Sequence, residues 1–297
     1  MKTHSKIYYF ISLMRPHQYY KNLLIFLPLI FAKHLLLIND LLKTTIGFLL
    51  LCLLSSSYYI INDIVDYEKD KNHPEKKLRP LASGKISKSE ALITSIFLIL
   101  IVLFFSYRIS TLFFYALITL LSLALMYSFW LKNEVFADII ILSTNFVIRA
   151  VSGAFIINVK VSPWLILCTF FLALFLASGK REANIALLNE KSKLYKKVLL
   201  KYNKNLTRTL MIISTTSLII SYSLYSFLSD FKNLIITLPI SLYTIFYYFY
   251  LIENGSPVAR NPELVFKEKR ILTAIIIWML LVLLCVYTDL IRIPLLK

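Results

Sequence analysis

Residues 42–70 read LKTTIGFLLLCLLSSSYYIINDIVDYEKD, an apolar run of membrane-spanning length that ends in a cluster of carboxylates. Hydrophobic residues make up 58% of the 297 positions, above the roughly 45–50% of soluble domains. Other apolar runs recur along the chain, and about 20 such residues cross a hydrocarbon core about 30 Å thick. The sequence therefore predicts a membrane protein rather than a soluble globular domain.

These runs predict an all-α bundle of about nine transmembrane helices. The predicted spans lie at 20–38, 42–62, 91–108, 111–131, 135–157, 162–180, 208–228, 233–252 and 271–291. Because no soluble segment of domain size separates them, we expect one polytopic membrane domain over residues 1–297.

The basic residues predict the orientation of the bundle. Of the 33 Lys and Arg residues, 25 fall on the face that carries the N-terminus, seven fall on the opposite face, and Arg149 lies within a span. Lys and Arg accumulate in cytoplasmic loops, so we expect the N-terminus inside and the C-terminus outside. The long connections 63–90, 181–207 and 253–270 then face the cytoplasm, where a polar site would open. The same bias explains the net charge of +17 without a nucleic-acid partner.

The carboxylates stand where the second predicted span meets the cytoplasmic face. In a helix, offsets of three and seven residues place Asp63, Asp66 and Asp70 on one side. Like charges this close are stabilised by a cation between them, and carboxylate oxygens suit Mg²⁺, which binds through one or two carboxylates plus substrate phosphates. The alternative is a solvated helix end with scattered charges.

A basic loop follows the carboxylates, reading HPEKKLRPLASG over residues 73–84. An arginine offers forked hydrogen bonds and a lysine a point charge, so Arg79 and Lys77 supply what is needed to hold a diphosphate beside a metal ion. The alternative for both is a positive charge that only sets the orientation of the chain.

The pattern N-D-x-x-D-x-x-x-D followed by H-P-x-x-K-x-R-P-x-A-S-G resembles the first aspartate-rich motif of the UbiA-type prenyltransferase superfamily. This resemblance implies a UbiA-like bundle of nine transmembrane helices whose site opens to the cytoplasm and uses Mg²⁺ to bind a diphosphate. Further segments are similar to the decaprenyl-phosphate phosphoribosyltransferase branch, namely RPHQYYKN at 15–22, YSFWLK at 127–132, FVIRAVSGA at 146–154 and GKR at 179–181.

That branch implies a transferase that moves 5-phosphoribose from 5-phosphoribosyl 1-diphosphate to a polyprenyl (decaprenyl) phosphate and releases diphosphate, in support of cell wall biosynthesis. The cations Lys180 and Arg181 stand where other superfamily members carry a second aspartate-rich motif, and they suit an anionic acceptor. Asn184 replaces an acidic residue usual in this branch. Either Glu182 takes over that role, or the second half of the site differs.

The resemblance and the residue chemistry together predict one cavity lined by polar side chains. The residues predicted to bind the metal ion, the donor diphosphate or the ribose, with the three aspartates as the catalytic and metal-binding set, are Asp63, Asp66, Asp70, Lys21, Asn22, Asn62, Lys77, Arg79, Tyr127, Lys132 and Asp138. The residues predicted to hold the acceptor phosphate are Arg149, Lys180 and Arg181.

Three other functions compete with this interpretation. An aromatic-ring prenyltransferase and a lipid-ether synthase of the same superfamily would both place a prenyl diphosphate on the metal. A transporter also carries charged residues within its spans, but here the charges cluster on one face. The expected partners are the membrane, a polyprenyl phosphate and phosphoribosyl diphosphate, and a homo-oligomer is left open.

Overall fold

The structure is a computed structural model that describes residues 5–185 and 197–288, and these two ranges are helical with no strand. The α-helices, in chain order, are α1 (Lys6–Met14), α2 (Leu27–Phe31), α3 (Ile38–Val65), α4 (Tyr67–Lys71), α5 (Lys88–Ile109), α6 (Thr111–Phe129), α7 (Ala137–Ile157), α8 (Pro163–Ile185), α9 (Lys204–Leu228), α10 (Leu238–Glu253), α11 (Pro257–Arg260) and α12 (Lys269–Tyr287).

Eight helical segments within the described ranges are long and apolar enough to cross a membrane. They are α3, α5, α6, α7, α8, α9, α12 and the segment Asn233–Glu253, which contains α10. Large apolar side chains such as Phe97, Leu100 and Phe104 are exposed along α5, as expected of a surface that meets lipid. The prediction of an all-helical, multi-pass membrane protein is therefore confirmed.

The count of nine spans stays a prediction. Its last span, 271–291, runs beyond the described residues after position 288, and the connection 181–207 is described only at 181–185 and 197–207. The segment expected as the first span, 20–38, is not one long helix. Its first part belongs to a 3₁₀-helix over Pro16–Phe26. The short α2 follows directly, and α3 begins only at Ile38.

The 3₁₀-helix is 11 residues long, although such runs rarely exceed about four residues because their hydrogen bonds are poorly aligned. Burial compensates for this weakness, since Asn22 and Ile25 of this helix are almost completely enclosed. Irregular backbone at membrane depth is tolerated where it packs against other parts of the protein, and this segment meets that condition.

The chain separates into two compact units. The first contains Met1–Leu29, Leu35–Ile141 and Ile148–Lys160, and the second contains Ile30–His34, Leu142–Val147 and Val161–Lys297. A core cluster of the first unit is formed by Leu13, Ile60, Leu81, Ile86, Ala91 and Leu98. A core cluster of the second unit is formed by Phe175, Ala183, Met211, Tyr248, Leu251, Ile252, Val258, Ala259 and Ile271.

Two signals in the sequence fix the loop between α4 and α5. Gly84 adopts a left-handed backbone conformation with φ of 73°, which glycine reaches without steric cost. Ser87 then caps α5 in a reciprocal arrangement with Glu90, each side chain bonding the other residue's backbone N–H. The C-terminal end of the basic loop is therefore fixed by a turn at Gly84 and a well-defined start of α5.

Gly153 lets α7 pack against the backbone of the first segment. A Cβ atom added there would stand 1.9 Å from the carbonyl oxygen of Ile25, a backbone atom that cannot rotate away. At Gly47 on α3 an added Cβ would meet the tip of Ile156 at 2.3 Å, and a side-chain tip can move. An added methyl group is therefore easier to accommodate at Gly47 than at Gly153.

We predict that Gly153→Ala destabilises the protein more than Gly47→Ala. Overpacking costs about 1–3 kcal/mol and occasionally more, so we expect Gly47→Ala to fall within that range and Gly153→Ala at or above its upper end. The measurement is the free energy of unfolding of the purified protein in mixed micelles. Equal losses for the two variants would contradict the packing described here.

Candidate functional site

The carboxylate segment is not one continuous helix. The sequence predicted a single helical face through Asp63, Asp66 and Asp70, but α3 ends at Val65 and α4 begins at Tyr67. Asp66 lies at the break with φ of −90° and ψ of 4°. Three adjacent carboxylates on one continuous face would repel each other, whereas in the structure each of them contacts at least one basic side chain.

Two of the three carboxylates converge on one cationic atom. Nη1 of Arg79 donates to Oδ1 of Asp63 at 2.9 Å and to Oδ2 of Asp70 at 2.5 Å. Asp63 and Asp70 are only 3% and 2% exposed, and buried carboxylates require such partners because isolated charges are costly away from water. Lys76 adds a second cation, 3.6 Å from Oδ1 of Asp70.

The third carboxylate, Asp66, bonds to the connection between α6 and α7. Oδ1 of Asp66 accepts a hydrogen bond from Nζ of Lys132 at 2.7 Å, and Lys132 is itself buried in the connection between α6 and α7. Of the predicted site residues, Asp63, Asp66, Asp70, Arg79 and Lys132 are thus linked by ion pairs. We call these five residues, together with Arg15 and Lys76, the carboxylate cluster.

Arg15 is a member of this cluster that the sequence analysis did not assign. Its Nη2 donates to Oδ1 of Asp63, and its guanidinium lies over the ring of Tyr59 at 5.2 Å from the ring centre. Burial lowers the pKa of Arg15 from its ordinary value, while the neighbouring Asp63 carboxylate raises it. The residue has φ of 54°, a strained conformation for a non-glycine residue that costs on the order of 1–3 kcal/mol.

His73 shapes the basic loop. Its Nδ1 accepts the backbone N–H of Glu75 at 3.2 Å and that of Lys76 at 3.3 Å. An imidazole nitrogen can accept only while it carries no proton, and burial, followed by the charge of Lys76, lowers the pKa of His73 below its usual value. The neutral histidine therefore holds the turn that brings Lys76 to Asp70.

A second polar cluster lies deeper in the first unit. Arg149 is 4% exposed, and its Nε donates to Oδ1 of Asn22 at 2.9 Å while its Nη2 donates to the hydroxyl of Tyr58 at 2.5 Å. That hydroxyl donates in turn to Oγ of Ser55 at 3.0 Å. We call Asn22, Ser55, Tyr58 and Arg149 the Arg149 cluster. Tyr58 precedes Asp63 by five residues on α3, about 7.5 Å along the helix axis.

The first unit also contains the other predicted site residues, which belong to neither cluster as defined. Lys21 donates to the side chain of Gln18 within its own 3₁₀-helix, Asn62 is half-buried at the end of α3, and Lys77 is exposed. Tyr127 is half-buried on α6, and Asp138 is fully buried in the first turn of α7. Their roles toward a substrate stay predictions.

The second unit carries Lys180 and Arg181 at the end of α8, half-buried and buried respectively. The next residue, Glu182, is buried and accepts a hydrogen bond from Oγ1 of Thr207 on α9. Glu182 is therefore an interior group of this unit with a hydroxyl partner. Asn184, which stands where the branch usually has an acidic residue, follows two residues later and is half-buried. Glu182 is therefore the one acidic side chain among residues 180–185.

The described residues contain no group of three or more His, Cys, Asp or Glu side chains arranged to hold a metal ion. Yet the paired carboxylates have the right donor chemistry, because Mg²⁺ takes oxygen ligands and is bound by one or two carboxylates together with substrate phosphates. Asp63 and Asp70 already bracket one positive centre, the Arg79 guanidinium. The donor set therefore fits a hard divalent cation.

The residues that sequence analysis missed share one property. Arg15, Lys76, Ser55 and Tyr58 lie next to assigned residues in the sequence or on the same helix, and for all but Lys76 a partner lies more than 30 positions away, for example 91 positions for Tyr58 and Arg149. A cation directly before Pro16 and a tyrosine one turn before the carboxylates were the available signals.

The fold and these clusters define a multi-pass membrane protein whose buried charges are suited to binding anionic groups. The sequence profile of the UbiA prenyltransferase family matches residues 24–269. The chain therefore belongs to the UbiA prenyltransferase family, and it is a membrane-bound transferase. The expectation from the aspartate-rich motif is confirmed at this level.

Two named relatives and one solved structure are similar to this chain over most of its length. The chain is 29% identical over 276 residues to the decaprenyl-phosphate phosphoribosyltransferase of Mycolicibacterium smegmatis, covering 88% of this chain and 87% of that protein. It is 30% identical over 221 residues to the decaprenyl-phosphate phosphoribosyltransferase of Corynebacterium glutamicum, covering 73% and 67%. A UbiA homologue from Archaeoglobus fulgidus, solved with GPP and Mg²⁺, shares the fold with a TM-score of 0.73, 19% identity and coverage of 94% and 99%.

We predict that acid loosens the turn held by His73. Because the folded-state pKa is lowered, the neutral histidine stabilises the turn fully above the ordinary value of about 6.5, and this contribution is lost as the pH falls through the folded value. Hydrogen exchange at the amides of Glu75 and Lys76, corrected for its intrinsic pH dependence, should accelerate between about pH 7 and pH 5.

The control is His73→Asn, whose amide oxygen accepts hydrogen bonds but does not titrate. Corrected exchange in this variant should not change with pH over the same interval. Exchange in the unsubstituted protein that stays constant with pH would contradict the role given to His73.

Proposed function

We propose that this protein transfers 5-phosphoribose from 5-phosphoribosyl 1-diphosphate to a polyprenyl phosphate, such as decaprenyl phosphate, and releases diphosphate. The observation that carries the proposal is the pairing of Asp63 and Asp70 through one guanidinium nitrogen, with the buried cation of Arg149 further along the same helix bundle. The names of relatives that cover most of the chain support the same activity.

The donor diphosphate is assigned to the carboxylate cluster. Asp63 and Asp70, with Asp66 beside them, would hold Mg²⁺, which when bound supplies positive charge to the departing diphosphate. Arg79 and Lys76 already stand beside these carboxylates, and they supply the forked and single cationic contacts that phosphate oxygens favour. Lys77 is exposed on the same loop and remains the outermost candidate for the donor phosphates.

The acceptor phosphate is assigned to Arg149. A cation inside a membrane protein is costly unless it faces an anion or a polar cavity, and Arg149 lies among polar groups that include Asn22 and Tyr58. A phosphate is an anion that a guanidinium binds with forked hydrogen bonds, whereas an aromatic ring or an alcohol offers no such charge. The buried arginine therefore favours a phosphate-bearing lipid over the acceptors of the two competing enzyme classes.

The chemistry of the transfer places modest demands on the protein. The bond from C1 of the ribose to the diphosphate oxygen breaks, the diphosphate leaves with the electron pair, and an oxygen of the acceptor phosphate forms the new bond to C1. A phosphate monoester is already an anion at neutral pH, so no dedicated base is required. The side chains must instead hold two anions near one carbon and exclude water from the cationic centre that develops there.

We further propose that the clusters open toward the cytoplasm, with the N-terminus inside, because the basic residues are concentrated on that face. A soluble phosphorylated donor would then reach the carboxylate cluster directly, and the lipid acceptor would enter from the bilayer. Lys180 and Arg181 belong to the second unit, and the role predicted for them from the sequence stays a prediction.

We predict that membranes containing this protein incorporate label from phosphoribosyl diphosphate into lipid only when Mg²⁺ and a polyprenyl phosphate are present. Asp66→Asn and Asp70→Asn should each lower this incorporation by about 100-fold, because each change removes a carboxylate charge from the donor site. Glu68→Gln is the matched control. Glu68 belongs to the same segment, but its side chain is 77% exposed, so this variant should keep full activity.

Labelled prenyl diphosphate serves as the competing donor in a parallel reaction. Incorporation of the prenyl label alone would overturn the proposed donor in favour of prenyl transfer. Flux of a labelled substrate into proteoliposomes without chemical turnover would indicate that the protein is a transporter and not an enzyme.

We predict that Arg149→Gln raises the KM for the polyprenyl phosphate by about 10–100-fold, the loss expected when a charged hydrogen-bonding group is removed, while the KM for the donor stays within about twofold. Steady-state kinetics with each substrate varied separately provide the measurement. Arg108→Gln, at the end of α5, removes a cation outside both clusters and should change neither constant. An equal rise in both KM values for Arg149→Gln would contradict a role specific to the acceptor.

A further inference from the structure

Arg15 combines three features that the donor site as proposed above does not use. It follows α1 directly, its Nη2 donates to Oδ1 of the buried Asp63, and its guanidinium covers the ring of Tyr59. Its side chain is 17% exposed, so the charge lies largely inside the protein. A cation over an aromatic face gains further attraction when both groups are desolvated.

The backbone at Arg15 indicates that this side chain is needed there. Its φ of 54° and ψ of 57° are left-handed, a conformation that glycine usually supplies after the end of a helix. Proline follows at position 16 and restricts the preceding residue further. Arginine gains nothing from this backbone geometry, so the contribution that offsets its strain comes from the side chain and its contacts with Asp63 and Tyr59.

The contacts of Asp63 show what the side chain of Arg15 achieves. Both arginines, Arg15 and Arg79, bond to the same oxygen, Oδ1. Oδ2 of Asp63 accepts no hydrogen bond from any residue in the described ranges. Two donors on one oxygen fix the carboxylate in one orientation, which leaves the second oxygen as the atom available to a bound cation.

We propose that Arg15 is a positioning residue that anchors Oδ1 of Asp63 and thereby presents Oδ2 of Asp63 to the metal–diphosphate group of the donor. This inference rests on the proposed function for the identity of the ligand. Arg79 also bonds to Asp70 and lies on the basic loop, so it is the arginine that exchanges a carboxylate for a phosphate oxygen when the donor binds. Arg15 then keeps Asp63 in place.

A residue that acts through Asp63 leaves a distinct kinetic pattern. Loss of Arg15 should weaken binding of the metal and the diphosphate, because partners that orient a metal ligand typically contribute 10–100-fold to affinity. The KM for the lipid acceptor should not change, because Arg149 bonds to Asn22 and Tyr58, and Tyr58 lies about 7.5 Å from Asp63 along α3.

The experiment measures binding of inorganic diphosphate to the purified full-length protein in detergent by calorimetry, with and without Mg²⁺. Arg15→Gln should weaken the Mg²⁺-dependent binding by 10–100-fold, and Arg15→Lys should recover part of the loss because it restores the charge without the fork. Arg15→Gly relieves the left-handed backbone while removing the guanidinium. Arg15→Gly should bind diphosphate as poorly as Arg15→Gln, even though its fold should be at least as stable as that of Arg15→Gln.

The matched control is Lys6→Gln. Lys6 lies at the other end of α1 and pairs with Glu90 on α5 at an exposed position, so this variant loses an ion pair of α1 without touching Asp63. It should bind diphosphate as the unsubstituted protein does. An equal loss in Lys6→Gln would assign the effect to the docking of α1, and normal binding by Arg15→Gly would show that the side chain is not required; either result overturns the proposal.

The same proteins separate this inference from the proposed function. Transfer of a prenyl label instead of phosphoribose, together with weak diphosphate binding by Arg15→Gln, would overturn the proposed function and keep the role of Arg15. Phosphoribose transfer by the unsubstituted protein, together with normal diphosphate binding by Arg15→Gln, would overturn the role of Arg15 alone. Absence of Mg²⁺-dependent diphosphate binding in the unsubstituted protein would overturn both.

Discussion

The first unit depends on the pairing of buried carboxylates with arginine. Asp63 and Asp70 are enclosed with Arg79 between them and Arg15 beside Asp63, and these cations stabilise the pair because an isolated ion in a medium of low dielectric constant is strongly disfavoured. The pairing also explains the local backbone. The break between α3 and α4, the turn held by His73 and the left-handed Arg15 each bring a charged side chain to the place where its partner lies. The charge pairs thus determine the shape of the chain at this edge of the membrane.

The two clusters lie at different levels of α3. The carboxylate cluster lies at the end of α3 and contains both signs of charge, whereas the Arg149 cluster lies about 7.5 Å back along α3 and joins one cation to hydroxyl and amide groups that include Tyr58 and Asn22. A cluster of mixed sign suits a metal–diphosphate pair, and a single cation suits one phosphate. This order matches a reaction between a water-soluble donor, which arrives from outside the bilayer, and a lipid acceptor, whose headgroup is anchored within it.

The sequence predicted the long helices well, because a span is a local property. An apolar run of about 20 residues is sufficient by itself, and the second through eighth predicted spans each coincide with a helix. The aspartate-rich motif was equally visible, since its members lie within eight residues of one another. The ion pairs were not, because they join residues 48, 66 and 127 positions apart. The 3₁₀ geometry of Pro16–Phe26 was not predicted either; this segment packs against α3 and α7 at Gly47 and Gly153, which are distant from it in the sequence.

The close approach at Gly153 has a consequence for biogenesis. The segment Pro16–Phe26 obtains its shape from α3 and α7, which are synthesised after it, and it lacks the long α-helical hydrogen-bond ladder with which a transmembrane segment shields its own backbone. Its final conformation therefore forms only once the ribosome has produced at least 153 residues. The N-terminal part of this protein is the first to be translated, but it completes its packing only after α3 and α7 have been made, so a factor that shelters unfinished membrane segments would act on it during that interval.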